Sequence, residues 1–222
     1  MRSAISTRPR SPVAPRDKGA LRPSGREDGL TEDAMIRGVA YDGDSFAGLD
    51  VDTAEVEQAR FASVRFTGTR TRQVVFSDAS FRTCDFAQFR AEDTSLVRAV
   101  VAHSRLTGSS WSGSHFNDVR FENCRGDLSL WRRSKFKGVH FEGCNLVQAD
   151  FQWAEMRDVL FTGCDLTGAQ FAHLRAQRVR FENCTMADVG GGEHLKGATV
   201  RGPGGMELAQ ALARDAGIHL EP

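Results

Sequence analysis

A large apolar residue recurs at nearly every fifth position over most of the chain, and this spacing constrains the fold more than any other feature. The register runs from Tyr41 to Met186 without a slip. Of the 15 phenylalanines, 14 lie on it and only Phe89 does not, which sets chance placement aside. A period of five matches neither the 3.6 residues of a helical turn nor the two-residue alternation of a strand. Each five-residue unit must therefore contain a turn.

A second inward position lies two residues before most of these centres and holds a small side chain. Examples are Ala59, Val74, Ser114, Cys144 and Ala169. A chain that buries one large and one small residue in each unit, and then turns, must coil around its own interior as β-solenoids do.

A longer period of 20 residues is superimposed on the period of five. The pattern Val-x-Phe-x-x-Cys recurs at residues 119–124, 139–144, 159–164 and 179–184. Four units therefore make one coil, and residues 20 apart stack on each other. Thirty units predict about 7.5 coils. Gly126 interrupts the stack, and we expect Leu128 or Leu130 to fill the gap through a local bulge.

Several units have a more specific composition, namely a small residue, Asp or Asn, Leu or Phe, a polar residue and often Gly. The best matches are residues 84–88, 144–148, 149–153 and 164–168. In these units the chain resembles the pentapeptide-repeat family over roughly residues 41 to 190. The resemblance implies an all-β fold, a right-handed quadrilateral β-helix. It also implies a function to consider, because some bacterial members imitate duplex DNA, bind DNA gyrase or topoisomerase IV and protect it from topoisomerase poisons.

Composition divides the chain into three segments. Residues 1–34 are rich in Arg, Pro, Ser and Gly, which predicts a disordered basic tail. Since Met35 directly precedes the folded region, whether this tail belongs to the native protein stays open. Residues 35–200 form the predicted β-helix, and residues 201–222 form a C-terminal segment.

The C-terminal segment predicts a short α-helix from Met206 to Ala216. A helix this short needs a surface to pack on, so it either caps the last coil or contacts a second subunit. Family members with a similar helix form a two-fold dimer at this end. We therefore expect a homodimer, with Leu208, Leu212 and Ile218 as candidate contacts, and a plain cap as the alternative.

The cysteines form the most regular cluster of residues that could carry redox or metal chemistry. Four of them form the column Cys124, Cys144, Cys164 and Cys184. Neighbours in this column would lie about 4.8 Å apart, within disulfide range, so redox or metal chemistry is an alternative to a structural role. Ala, Val and Ser fill the same slot elsewhere, which favours the structural role.

No other pattern points to catalysis. The six histidines lack metal-ligand spacing, and the sequence contains no nucleophile elbow, phosphate-binding loop or dinucleotide fingerprint. We expect no catalytic, cofactor-binding or metal site, and a protein that is not an enzyme.

Charge and hydropathy limit the location and the partners. The formal net charge is zero, so bulk attraction to nucleic acid or anionic lipid is not expected. The sequence has neither an apolar run long enough to span a bilayer nor the apolar core of a secretory signal, which predicts a cytoplasmic protein without a membrane partner.

The outward residues carry the remaining information about function. One edge of the predicted rod is acidic and another is basic. Trp153 and Phe89 lie off the register and are expected to point outward, and Trp153 should lie one coil above Arg133. The candidate partner surface consists of Glu122, Glu142, Asp165, Glu182, Trp153 and Arg133. Residues 61–190 hold 17 basic and 14 acidic side chains, which fits a DNA mimic poorly. A non-catalytic protein-binding scaffold is therefore the favoured function, and a DNA mimic that binds gyrase or topoisomerase is the alternative.

Overall fold

The chain coils into a β-solenoid of about nine turns that ends in one short helix. The computed structural model describes residues 8–16 and 19–219. Its strands are β1 (Arg22–Pro23), β2 (Met35–Arg37), β3 (Val39–Asp42), β4 (Asp50–Asp52), β5 (Glu55–Glu57), β6 (Arg60–Ala62), β7 (Arg70–Arg72), β8 (Val75–Ser77), β9 (Ser80–Arg82), β10 (Arg90–Glu92), β11 (Ser95–Ala102), β12 (Ser110–Ser112), β13 (His115–Glu122), β14 (Lys135–Glu142), β15 (Glu155–Thr162), β16 (Arg175–Glu182) and β17 (Thr199–Arg201). Short 3₁₀ helices span Arg26–Asp28 and Gly192–Leu195, and α1 spans Gly204–Asp215.

Successive coils pair in parallel, and the register confirms the period of 20. Phe121 lies opposite Phe141, and Phe141 lies opposite Phe161. Thirteen strands join into one sheet that covers adjoining sides of the solenoid, while β4, β7, β10 and β12 form a second sheet. Isolated bridges 20 residues apart complete the stacking between coils. The predicted four-sided β-helix is therefore confirmed.

A turn follows each inward pair, and its geometry explains the five-residue unit. The residue two positions after each centre adopts a left-handed conformation, as at Gly168 with a φ of 70° and Gln148 with a φ of 55°. In the turn that contains Gln148, the Ala149 amide donates to the Leu146 carbonyl at 3.0 Å. A positive φ at this third position is the requirement of a type II turn.

Stacked aromatic rings fill the axis of the solenoid. Phe121, Phe141, Phe161 and Phe181 form one column, with neighbouring ring centroids 4.8, 4.8 and 4.9 Å apart. Their planes lie within 9° of parallel. Because strand pairing already sets the coil spacing, identical residues 20 apart stack without further adjustment.

The expectation that Phe89 points outward is wrong. Phe89 is buried and packs against Trp111, with ring centroids 4.9 Å apart. It occupies the small inward position of a unit whose centre is Ala91, so the large and small side chains have exchanged places. Leu174 and Ala176 show the same exchange, since Leu174 is buried.

Two further expectations about the coils are also wrong. No bulge forms at Gly126, because Arg125 keeps its bridges to residues 20 away on both sides. Leu128 and Leu130 are exposed, and Leu146 fills the gap instead, with its Cδ2 3.1 Å from where a Cβ on Gly126 would lie. The solenoid is also longer than the predicted 7.5 coils, because strands before residue 41 and after residue 190 continue the stacking.

The described part of residues 1–34 makes defined contacts with the solenoid, unlike the disordered tail that its composition predicts. Strand β1 pairs with β3. Arg22 donates to both carboxylate oxygens of Asp28 at 2.6 and 2.5 Å, and the Tyr41 hydroxyl donates to the Asp28 carbonyl at 2.8 Å. Polar contacts and main-chain pairing replace the large apolar groups that this segment lacks. The division of the chain at residues 34 and 200 stays a prediction.

Helix α1 lies against the last coil. Ala211 is buried, and Glu207 accepts a hydrogen bond from the Met186 amide at 2.5 Å. Gly192 leaves the space in which the Leu208 and Leu212 side chains pack, since a Cβ there would lie 3.1 Å from each of them. The predicted C-terminal helix is therefore present. Within the described part of the chain, no helix is long and apolar enough to cross a membrane.

Candidate interaction surfaces

One side of the solenoid carries four cations and a histidine that we call the basic face, made of Lys135, Lys137, Arg157, Arg175 and His115. Strands β13 to β16 hold these residues in two columns, because side chains alternate along each strand and residues 20 apart pair. All five residues are exposed. They line a shallow depression above Phe136 and Met156.

Part of the basic face is not neutralised by neighbouring carboxylates. Arg175 pairs with Glu155 at 3.2 Å, and Arg157 lies 3.9 Å from Asp158. Neither Lys135 nor Lys137 has an ion-pair partner within 4 Å among the residues that the structure describes. Both lysines are exposed, so within the described part of the chain their ammonium groups face solvent without a carboxylate partner.

An exposed aromatic corner, which we call the Trp corner, borders the basic face and consists of Arg133, Trp153 and His173. The expectation that Trp153 points outward is confirmed, because 55% of it is exposed. Its ring stacks on that of His173, with centroids 3.9 Å apart and planes 20° apart. His173 in turn meets the ring of His194 edge-on at 4.9 Å. The stack holds Trp153 in place, since both faces of an isolated exposed ring would otherwise be free.

The acidic edge, formed by Glu122, Glu142 and Glu182, is interrupted and partly paired with arginine. Glu122 and Glu142 are register neighbours, but Thr162 separates Glu142 from Glu182. Arg120 lies 3.3 Å from Glu122, and Arg180 lies 2.5 Å from Glu182. The Arg180 guanidinium holds the pKa of the Glu182 carboxyl below its usual value. Two of the three glutamates on this edge are thus paired with arginine and a threonine interrupts them, so the edge is not a continuous acidic stripe.

The six residues of the predicted partner surface fall on two separate parts of the rod. Glu122, Glu142 and Glu182 lie at the end of the long strands, and Asp165 follows one corner later. Trp153 and Arg133 lie at the corner before the long strands begin. His173 was not among the predicted residues, although its spacing of 20 residues from Trp153 is the spacing at which side chains of this solenoid stack.

The cysteine column is buried and unpaired. All five cysteines are free thiols inside the solenoid, and the Cys144 thiol lies 3.5 Å from the carbonyl oxygens of Phe121 and Glu142. Burial raises the pKa of the Cys84 thiol to about 11, which leaves it neutral at physiological pH. Among the described residues no group of His, Cys, Asp or Glu is placed to hold a metal ion. This arrangement gives the thiols a packing role.

The C-terminal end exposes two of the three candidate dimer residues. Leu208 packs partly against the core, whereas Leu212 is 36% exposed and Ile218 is 57% exposed. The helix therefore covers the last coil and still leaves apolar side chains at the tip of the rod.

Solved structures align with the chain at low identity and low TM-score. QnrB1, a plasmid-mediated fluoroquinolone resistance protein, aligns in trypsin-treated form with 15% identity and a TM-score of 0.34, covering 85% of this chain and 99% of that one. HetL, a pentapeptide repeat protein involved in heterocyst differentiation regulation in the cyanobacterium Nostoc, aligns with 18% identity and a TM-score of 0.29, covering 75% of this chain and 89% of its own.

Sequence comparison identifies the family. No curated protein sequence matches the chain. The family model described as "Pentapeptide repeat region" matches residues 75–151 and 134–190, which together cover more than half of the 222 residues. This match agrees with the stacked five-residue units, their left-handed corner residues and their filled axis. The chain belongs to the pentapeptide repeat family.

Proposed function

We propose that the protein is a non-catalytic scaffold that binds an acidic protein partner through the basic face and the Trp corner. The observation that carries this proposal is the position of two unpaired lysines, Lys135 and Lys137, beside the exposed and stacked Trp153. Trp and Arg are the residues that most often dominate the energy of a protein interface, and the Trp corner supplies one of each.

The rigidity of the surface supports binding. The cations lie on paired strands, so the backbone sets the spacing of their Cα atoms and no main-chain ordering is needed when a partner docks. Unpaired cations also avoid the cost of breaking existing ion pairs. An acidic partner would gain electrostatic steering toward this side of the rod.

The filled interior supports a role without catalysis. Side chains occupy the inward positions of the coils, from Tyr41 through Trp131 to Met186. The depression on the basic face is open, and its wall contains no nucleophile next to a base. The buried free thiols suit a reducing compartment, and the proposal therefore places the protein in the cytoplasm.

The alternative is a DNA mimic that binds DNA gyrase or topoisomerase. Duplex DNA presents about one negative charge per 1.7 Å of its axis, whereas arginines pair with Glu122 and Glu182 on the acidic edge. The surface thus favours the scaffold. A gyrase supercoiling assay titrated with this protein, with and without a quinolone, tests the alternative. A change in supercoiling or in quinolone inhibition that survives charge reversal on the basic face would favour mimicry.

The proposal includes a homodimer joined at the C-terminal tips. Leu212 and Ile218 are the exposed apolar residues at that end, and a two-fold contact would cover them in both subunits. Two copies of the basic face would then lie on one elongated particle.

Site-specific photo-crosslinking in cells tests the scaffold. A photoreactive amino acid at position 137 lies on the basic face, and the same amino acid at position 90 lies on β10 on another side; both Lys137 and Arg90 are exposed. We expect position 137 to capture one acidic protein that position 90 does not capture. The proposal fails if both positions give the same set of crosslinks, or if Lys135→Glu leaves the capture at position 137 unchanged.

A further inference from the structure

A column of alternating charges runs along the bend in the long strands, and we call it the aspartate column. It consists of Asp78, Arg98, Asp118, Gly138, Asp158 and Arg178, spaced 20 residues apart and all with positive φ. Arg98 donates to both oxygens of Asp78 at 2.6 and 2.7 Å. Arg178 does the same for Asp158 at 2.5 and 2.7 Å.

The pattern of one arginine after each aspartate is broken at Gly138. Asp118 therefore has no arginine in the column one coil later, although only 12% of its side chain is exposed. Arg10, from the N-terminal segment, donates to Asp118 instead. A Cβ on Gly138 would lie 2.6 Å from Nη2 of Arg10. The Arg10 guanidinium thus fills the space that a side chain at position 138 would need.

The N-terminal segment 8–16, which we call the arm, follows the whole column. The Val13 amide donates to Asp118 at 3.2 Å, and the Arg16 amide donates to Asp78 at 2.9 Å. Arg10 lies beside Asp158, and its main chain adds to the Arg178 guanidinium in lowering the pKa of the Asp158 carboxyl. Val13 and Arg16, three residues apart, therefore donate to carboxylates two coils apart, and Arg10, three residues earlier, lies beside the carboxylate two coils further on.

This match has a simple geometric basis. Two coils of a β-solenoid advance by about 9.6 Å, since paired strands lie about 4.8 Å apart. Three residues of a polyproline II helix advance by about 9.3 Å. An α-helical segment of the same length would advance only about 4.5 Å. The column therefore has the spacing of a polyproline II ligand.

The sequence and burial of the arm show the same period of three. Pro9, Pro12 and Pro15 directly precede Arg10, Val13 and Arg16. Pro9 is buried, and Pro12 and Pro15 are half-buried. The other arm residues are exposed. A helix with three residues per turn places every third side chain on one side, so the prolines line the contact.

We infer that the aspartate column is a recognition site for a polyproline II segment with proline at every third position and arginine after the first proline. Its occupant in this chain is the arm. The carboxylates accept hydrogen bonds from main-chain amides at a fixed spacing. The space above Gly138 accommodates the arginine side chain, which a larger residue at position 138 would exclude. The site lies beside the basic face and does not depend on the proposed function.

Two proline substitutions in the full-length protein give a matched test. Val13→Pro removes the amide that donates to Asp118 but keeps a conformation that suits polyproline II. Ala14→Pro makes the same chemical change at an exposed neighbour. The readout is the rate at which trypsin cuts the Arg10–Ser11 bond. We expect slow cleavage in the wild type and in Ala14→Pro, and cleavage at least about tenfold faster in Val13→Pro, because a hydrogen bond to a charged group is lost. Equal rates in all three proteins would overturn the inference.

A labelled peptide of residues 8–16 tests whether the site accepts a ligand from outside. Fluorescence anisotropy should show binding to the Val13→Pro protein and at least about tenfold weaker binding to the wild type, whose own arm competes. A control peptide with its three prolines replaced by alanine loses the preformed conformation and should bind at least about tenfold more weakly. No binding of the first peptide, or equal binding of both peptides, would contradict the inference.

Gly138→Arg tests the selection of arginine. Arg98 and Arg178 adopt positive φ at equivalent positions, so the column tolerates arginine there. The new side chain should pair with Asp118 and expel Arg10, which would speed cleavage at Arg10–Ser11 while leaving the melting temperature close to that of the wild type. Unchanged cleavage in a folded Gly138→Arg protein would show that the space above Gly138 does not hold Arg10.

Discussion

Phe141 stacks on Phe161 with ring centroids 4.8 Å apart and planes only 4° from parallel. Each ring in this column supports the coils before and after it. Phe141→Ala should therefore lower the free energy of unfolding by about 3 to 5 kcal/mol, as large core truncations do. Urea unfolding followed by circular dichroism measures this loss. Glu142→Ala, at the exposed neighbour, should change stability by less than about 0.5 kcal/mol, and a similar loss in both variants would contradict the stacked core.

The exchange of sizes between Phe89 and Ala91 makes a compensation test available. Phe89→Ala alone should lower stability by about 3 to 5 kcal/mol, because it leaves a cavity beside Trp111. Adding Ala91→Phe places a large side chain at the centre of the same unit, where it can fill the cavity. It should restore at least about 2 kcal/mol of the loss. Strict additivity of the two single changes would show that the two positions do not share one space.

The ion pair between Arg98 and Asp78 predicts a pH dependence. The hydrogen bonds from Arg98 hold the pKa of the Asp78 carboxyl below its usual value. Asp78 therefore contributes stability above the unfolded pKa of about 3.9, and this contribution is lost as the pH falls through the lower folded pKa. Arg98→Gln should destabilise the protein at pH 7 and much less below the folded pKa.

Urea unfolding of the wild type and Arg98→Gln at a series of pH values checks this difference. Arg105→Gln is the control, because Arg105 is 57% exposed and lies 3.9 Å from Asp85. Its effect should be small at every pH, as for most surface ion pairs. A loss in Arg98→Gln that stays constant with falling pH would rule out the charged pair as its cause.

The proposed dimer predicts a change of mass. Light scattering of the wild type should give twice the 24.4 kDa of the single chain. Ile218→Glu, which places a charge on an exposed apolar residue at the tip, should give the single-chain mass without lowering the melting temperature. Lys196→Glu, also exposed and at the same end, should stay dimeric. A wild type that is already monomeric would exclude this dimer.

The fold could be read from the sequence because it depends on a repeated local pattern. Each five-residue unit contains its own turn and its own inward pair, and the period of 20 sets the register between coils. The burial of Phe89 could not be predicted from this pattern, because it depends on the volume left by Ala91 and not on the place of Phe89 in the register.

The candidate surfaces could be predicted less well, since they depend on which outward side chains meet. Trp153 was expected to be exposed, but its stack on His173 needs the corner geometry. The acidic residues could be placed on one edge from the sequence, whereas ion pairs such as that of Arg180 with Glu182 also depend on side-chain rotamers. The arm looked disordered because it lacks large apolar groups, and its contacts join residues more than 60 positions apart.

The most direct test of the scaffold proposal measures the affinity of the partner captured at position 137. We expect Lys137→Glu to weaken binding at least about tenfold by reversing a central charge, and Trp153→Ala to weaken it by about 2 kcal/mol as an interface anchor. Arg90→Glu, a charge reversal at an exposed arginine on another side, should leave the dissociation constant within about twofold. Equal weakening by Lys137→Glu and Arg90→Glu, or none by Lys137→Glu and Trp153→Ala, would contradict a partner site on the basic face.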